Sequence, residues 1–124
     1  MIPKFRAWNS ETKEIEVFKT YEEISELFLA LSADDGFYSI MQSTGLKDKN
    51  GKEIFEGDIL DYRGRKALVR WHGSYASFIY RFVDEPHKRK AEWKPLYLAY
   101  MKCEIIGNVY ENTELLDAIK CTQK

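Results

Sequence analysis

Within Gln42–Leu60, QSTGLKDKNGKEIFEGDIL, a glycine falls at every sixth position: Gly45, Gly51 and Gly57. Few chains can absorb that spacing. A long helix cannot carry it, because each glycine weakens a helix interior. Short strands joined by tight turns can, because glycine reaches positive φ at no steric cost. Asn50-Gly51, set between Leu46 and Ile54, is the sequence signal of a type I′ hairpin turn. Glu56-Gly57-Asp58 is a second tight turn, delivering Ile59–Tyr62 as a strand.

The flanking sequence continues this pattern. Lys4–Trp8 and Glu14–Phe18 read as strands around a polar turn at Asn9–Lys13, an opening hairpin. The period then changes. Thr20 and Glu23 form a capping box, and Ile24, Leu27, Phe28 and Leu31 follow at helical spacing, so Tyr21–Leu31 is an amphipathic helix whose stripe packs on the sheet. Phe37–Gln42 is the next strand. Arg63-Gly64-Arg65 turns the chain into Lys66–Trp71, where Ala67, Val69 and Trp71 share one face and point to the core. Gly73-Ser74 turns it again into Tyr75–Phe82. Val83–Trp93, with Pro86 inside, is a loop. Pro95–Lys102 and Glu104–Tyr110 read as strands, with a kink or bulge allowed at Gly107-Asn108. Asn112 can cap a last helix to about Lys120 along Leu115, Leu116 and Ile119. The expected class is α+β, mainly β. A small curled antiparallel sheet or SH3-like barrel carries one helix after the first hairpin and a short C-terminal helix.

At 124 residues the chain fits one domain, 1–124. Aromatics are 15% of it, a load that suits pleated sheet and argues against disorder. The 19 basic and 20 acidic residues leave a net charge of −1, so no global field draws it to nucleic acid or an anionic membrane. No apolar run approaches the roughly 20 residues that cross a bilayer, and no signal pattern opens the chain. A cytoplasmic protein is expected. Cys103 and Cys121 stand apart and in no C-x-x-C motif, so free thiols are expected.

Three segments carry a resemblance. They are Lys4-Phe5-Arg6-Ala7-Trp8, the block Met41–Ile59 (MQSTGLKDKNGKEIFEGDI), and Ile105–Leu116 (IIGNVYENTELL). In that order they resemble the YopX family of small phage and prophage proteins. The middle block is the most specific part, and the match weakens between Arg63 and Lys102. Ser43 stands where an aromatic residue is common, and Thr113 where proline is common. The resemblance implies a β-rich, barrel-like domain in a host bacterial cytoplasm, with assembly into homo-oligomers. It supplies no catalytic residues, cofactor or metal.

The residues themselves show no catalytic spacing. Asp58 lacks a partner carboxylate and reads as a turn cap, not a general acid or base. His72 and His87 sit in no metal-ligand pattern. The charges Lys47, Asp48, Lys49, Glu53 and Asp58 read as turn chemistry before they read as a ligand loop. Two basic groups are the candidate sites for nucleic acid or a partner. One is Arg63, Arg65, Lys66 and Arg70 with Trp71; the other is His87, Lys88, Arg89 and Lys90 with Trp93. Asp84, Glu85 and Glu92 weaken the field of the second. Surplus rings at Tyr75, Trp93, Tyr97 and Tyr100 point to a protein interface. The leading expectation is a non-enzymatic, self-associating interaction module that acts on a host or phage protein. A nucleic-acid-associated barrel in phage replication or transcription control is the alternative and is not favoured. An enzyme acting on a nucleotide or phosphate metabolite comes last.

Overall fold

A computed structural model describes residues 4–32, 38–83 and 94–116, and within these the side chains of Leu31 and Ser32 are left out. Among the described residues it is mainly β, with one α-helix, and the chain divides into two compact units, 1–43 and 44–124.

In the first unit, β1 (Phe5–Asn9) and β2 (Glu14–Phe18) form the opening hairpin, with Trp8 opposite Ile15. Asn9 closes it: its side-chain oxygen accepts from the Glu11 and Thr12 amides, and Lys13 takes φ 60. The helix α1 spans Tyr21–Ser32. The capping box forms in a shifted version. The Glu23 amide donates to Thr20 Oγ1 at 3.1 Å, and the Glu23 carboxylate accepts from the amide of Lys19, one residue before the cap. Ile24 and Leu27 are buried, but Phe28 is half-exposed, its ring edge-on to Phe5 at 5.6 Å. The Leu31 side chain falls outside the described set. The strand β3 (Tyr38–Lys47) pairs antiparallel with β1 along Tyr38–Gln42, one residue inside the expected start, Phe37, which lies outside the described residues.

In the second unit, β3 ends and β4 (Glu53–Phe55) comes next, with the Thr44 hydroxyl donating to the Ile54 carbonyl at 2.7 Å. The turn between them is not the expected type I′. Only Gly51 has positive φ; Asn50 does not. The Gly51 amide bonds the Asp48 carbonyl and the Asp48 amide bonds the Lys52 carbonyl, a turn closed by a glycine bulge. Asp48 decides this. Its carboxylate accepts from the Asn50, Lys52 and Ile105 amides, so it fixes the loop from inside. Asp58 caps the next turn by accepting from the Phe55 amide at 2.8 Å. Both carboxylates are buried rather than held at a wet loop tip, and backbone amides meet their oxygens.

A five-stranded antiparallel sheet then runs in the order β8-β7-β6-β5-β9, with β5 Asp58–Tyr62, β6 Arg65–His72, β7 Ser77–Phe82, β8 Lys94–Pro95 and β9 Glu104–Asn108. One face of this curled sheet holds the core: Leu60, Ala67, Val69, Tyr80 and Phe82, joined by Ile54. The expected strand Pro95–Lys102 is instead two residues of β8 and two 3-10 turns, Leu96–Leu98 and Tyr100–Lys102. Leu96, Ala99 and Cys103 of this stretch are buried in the core while Tyr97, Leu98 and Met101 face out. Inward positions three and four apart belong to a helical turn, not to a strand.

At β9 the register shifts between Ile59 and Leu60, opposite Gly107 and Ile105, the bulge anticipated at Gly107. Gly107 is required there, since a Cβ would lie 2.5 Å from Asn112 Oδ1. That oxygen accepts from the Asn108 amide, so Asn112 does not cap a helix. The chain then makes one 3-10 turn, Thr113–Leu115; the expected continuation through Ile119 and Lys120 lies outside the described residues. None of the helices among the described residues is long and apolar enough to cross a membrane.

Candidate functional site

The β5–β6 connection builds the most distinctive side-chain group. Arg63 (φ 52) and Gly64 (φ 86) are both left-handed, which makes this a type I′ turn. Asp61 secures it by accepting from the Gly64 amide at 2.8 Å. A two-residue loop fixes register, so Tyr62 sits opposite Arg65. The next ladders place Phe82 opposite Ala67, Tyr80 opposite Val69, and Lys94 opposite Tyr80. Alternation along each strand then puts Tyr62, Arg65, Tyr80, Phe82 and Lys94 on one face.

Their rings form a cluster. Tyr62 stacks on Tyr80 at 6.0 Å with 15° between planes, and Phe82 meets both edge-on at 6.2 and 5.7 Å. Cations rim it. The Arg65 guanidinium carbon is 3.7 Å from the Phe82 ring centre, a flat stacking distance; Lys94 Nζ is 5.4 Å from the same ring, and Arg63 is 5.5 Å from Tyr62. Burial, with smaller help from Tyr62 and Cys103, raises the Tyr80 phenol, so that hydroxyl stays protonated.

The basic–aromatic group expected around β6 is thereby divided. Arg63 and Arg65 belong to the ring cluster. Arg70 is exposed but lies opposite Ile79, in the alternate set with Lys66 and Leu68, on the other face from Arg65. Trp71 shares the Arg65 face six residues along, about 20 Å away at strand rise. It does not point into the core. It is 48% exposed, edge-on to Phe78 at 5.0 Å, because the strand has run past the core there. His87, Lys88, Arg89, Lys90 and Trp93 lie outside the described residues. Lys94, Tyr62 and Phe82 were not foreseen as site residues. The two-residue turn at Arg63-Gly64 is the signal that would have placed Tyr62 beside Arg65.

Other reactive groups have structural tasks. Cys103 is fully buried, its thiol donating to the Ala99 carbonyl at 3.3 Å. Burial, then Asp48 and Asp61, push it up to about 11, so at neutral pH it is a packed thiol and not a nucleophile. Burial opposes ionisation of Asp48, but its three backbone donors, Ile105 first, together with the Lys52 charge outweigh that and hold the carboxyl below its ordinary value.

Apart from Ile106 on β9, the large exposed apolar side chains among the described residues of the second unit fall in two places. Tyr97 (59%), Leu98 (70%) and Met101 (70%) form the outer side of the 3-10 pair. Trp71 and Tyr75 (63%) lie at the β6–β7 end.

The family model described as YopX protein matches residues 4–117. The crystal structure of protein EF1440 from Enterococcus faecalis is similar, with a TM-score of 0.59 and 30% identity over 94% of this chain and 99% of that one. None of the curated proteins matches.

Proposed function

The chain belongs to the YopX protein family, and we propose that it is a non-enzymatic module that works by protein contact, first with a second copy of itself. One observation carries this: the outward side of the 3-10 pair presents Tyr97, Leu98 and Met101 together, each more than half exposed. Leu96, Ala99 and Cys103 of the same stretch already fill the core, so the fold itself does not need the outer three. Tyrosine and methionine are enriched where proteins meet, and Leu98 adds apolar area between them. Trp71 and Tyr75 supply a separate apolar tip for a host or phage protein. The working place is the host cytoplasm. Sedimentation velocity of the whole chain across micromolar concentrations tests the reading. A rising weight-average coefficient supports it, and a clean monomer throughout contradicts it.

A further inference from the structure

The first unit has an apolar surface on α1 that this reading does not use. Tyr21 is 65% exposed, Phe28 48% and Leu29 68%. At about 100° per residue, Phe28, Tyr21, Ser25 and Leu29 follow one another across about 100° of the helix surface. Ile24 and Leu27 are buried on another side, so the helix carries a second apolar face that is left open. Phe28 is held on that face by the Phe5 ring, edge-on at 5.6 Å. Ser25 is exposed and small, and it leaves a hollow between two rings about 10 Å apart along the axis. The rim is acidic. Glu22 and Glu26 border the face on the Leu29 side, both are exposed, and α1 contains no Lys, Arg or His. The two stand at i and i+4, where like charges repel and weaken a helix. A cation from outside would relieve that repulsion.

We propose that this face of α1 is a docking surface for a basic amphipathic helix of a partner protein. The partner's apolar stripe lies on Tyr21 and Phe28 and fills the hollow at Ser25, and its Lys or Arg side chains meet Glu22 and Glu26. Large side chains around a hollow on one helix receive the side chains of a second helix laid along it. Charge selects the occupant. Two copies of α1 would set glutamate rims against each other with no cation between them, so a second copy does not fit.

Fluorescence anisotropy of the whole protein with a labelled amphipathic helical peptide of leucine and lysine tests it. Two further arms are the same peptide with glutamate for lysine, and one of the same composition shuffled so that no apolar stripe forms. Tyr21→Ser/Leu29→Ser withdraws apolar area without touching the core and should weaken binding by about 30-fold or more. Glu22→Gln/Glu26→Gln removes the i, i+4 repulsion, so α1 stays folded. It should weaken binding by about fivefold at about 50 mM salt and by less at about 500 mM. Leu98→Ser/Met101→Ser should bind as wild type does, which separates this face from the 3-10 pair. The proposal is overturned by no binding at low salt, by equal binding of the glutamate or shuffled peptide, by wild-type affinity in either α1 variant, or by loss of binding in Leu98→Ser/Met101→Ser. A changed mass by light scattering in either α1 variant also overturns it, since the face would then belong to a second copy.

Discussion

Asp48→Asn is the substitution that probes this fold most deeply. The wild-type carboxylate shares its oxygens: Oδ1 accepts from the Asn50 and Lys52 amides at 2.9 Å each, and Oδ2 from the Ile105 amide at 3.0 Å. It joins the β3–β4 turn to β9, 57 residues away. An asparagine can keep an oxygen at the first position only by turning its NH2 toward the Ile105 amide, donor against donor. The first pair weakens from charged to neutral strength, and the third donor is left unsatisfied in a part-buried place. These losses together come to about 3 kcal/mol. For a chain of 124 residues that is a fall in melting temperature of about 10 °C. Urea unfolding followed by tryptophan fluorescence and circular dichroism measures it. Asp61→Asn is the contrast, because its bond to the Gly64 amide is exposed and its loss should cost under about 1 kcal/mol. The folded carboxyl of Asp48 lies below 3.8, so the unfolded chain takes up that proton first. Its contribution is whole above pH 3.8 and is lost as pH falls through the folded value. Asp48→Asn therefore loses stability less steeply in acid than wild type. A variant within about 1 kcal/mol of wild type at pH 7, or one with the same acid slope, would show that the carboxylate does not hold the turn to β9.

Three further outcomes rest on single positions. Gly107→Ala should destabilise by about 2 kcal/mol, since its Cβ displaces Asn112 from the Asn108 amide; an unchanged urea midpoint would show that the bulge relaxes freely. Ala76→Gly should stabilise by about 0.5–1 kcal/mol, because Ala76 is exposed at φ 47 and glycine removes the left-handed strain; thermal melts measure the sign. In a Cys121→Ser background, Cys103 should resist a thiol reagent at pH 8 until the protein is unfolded. Its raised value also means its contribution is whole below pH 9 and declines as pH rises toward about 11; prompt labelling of the native protein would contradict both.

Where local chemistry alone decides, the sequence was legible. Thr20 and Glu23 mark the start of α1, Gly57 and Asp58 make the turn into β5, and Gly107 sits at the bulge. The failures have a common form, a tertiary setting overriding a local signal. Asn50-Gly51 reads as a two-residue turn, yet the Asp48 carboxylate, bound also to Ile105, holds a longer one. Pro95–Lys102 has the apolar content of a strand, but Leu96, Ala99 and Cys103 at steps of three and four fill the concave face of the sheet. Trp71 has the right parity for burial and lies beyond the end of the core. The candidate site was half visible. Arg63 and Arg65 stand next to a recognisable turn, whereas Phe82 and Lys94 join them only through two strand registers that no local pattern states.

Self-association through the outer side of the 3-10 pair is the core of the functional reading, and Leu98→Glu/Met101→Glu is its sharpest test. Neither side chain supports the core, so the fold survives and only the surface changes. Withdrawing two such side chains from a contact costs at least about 3 kcal/mol, over about 100-fold in the dissociation constant. Size-exclusion chromatography with light scattering, on wild type and variant at matched concentrations, reads the mass. Self-association predicts a wild-type mass at a multiple of the 14.6 kDa chain and a variant at the mass of one chain. Equal masses for the two proteins would contradict it.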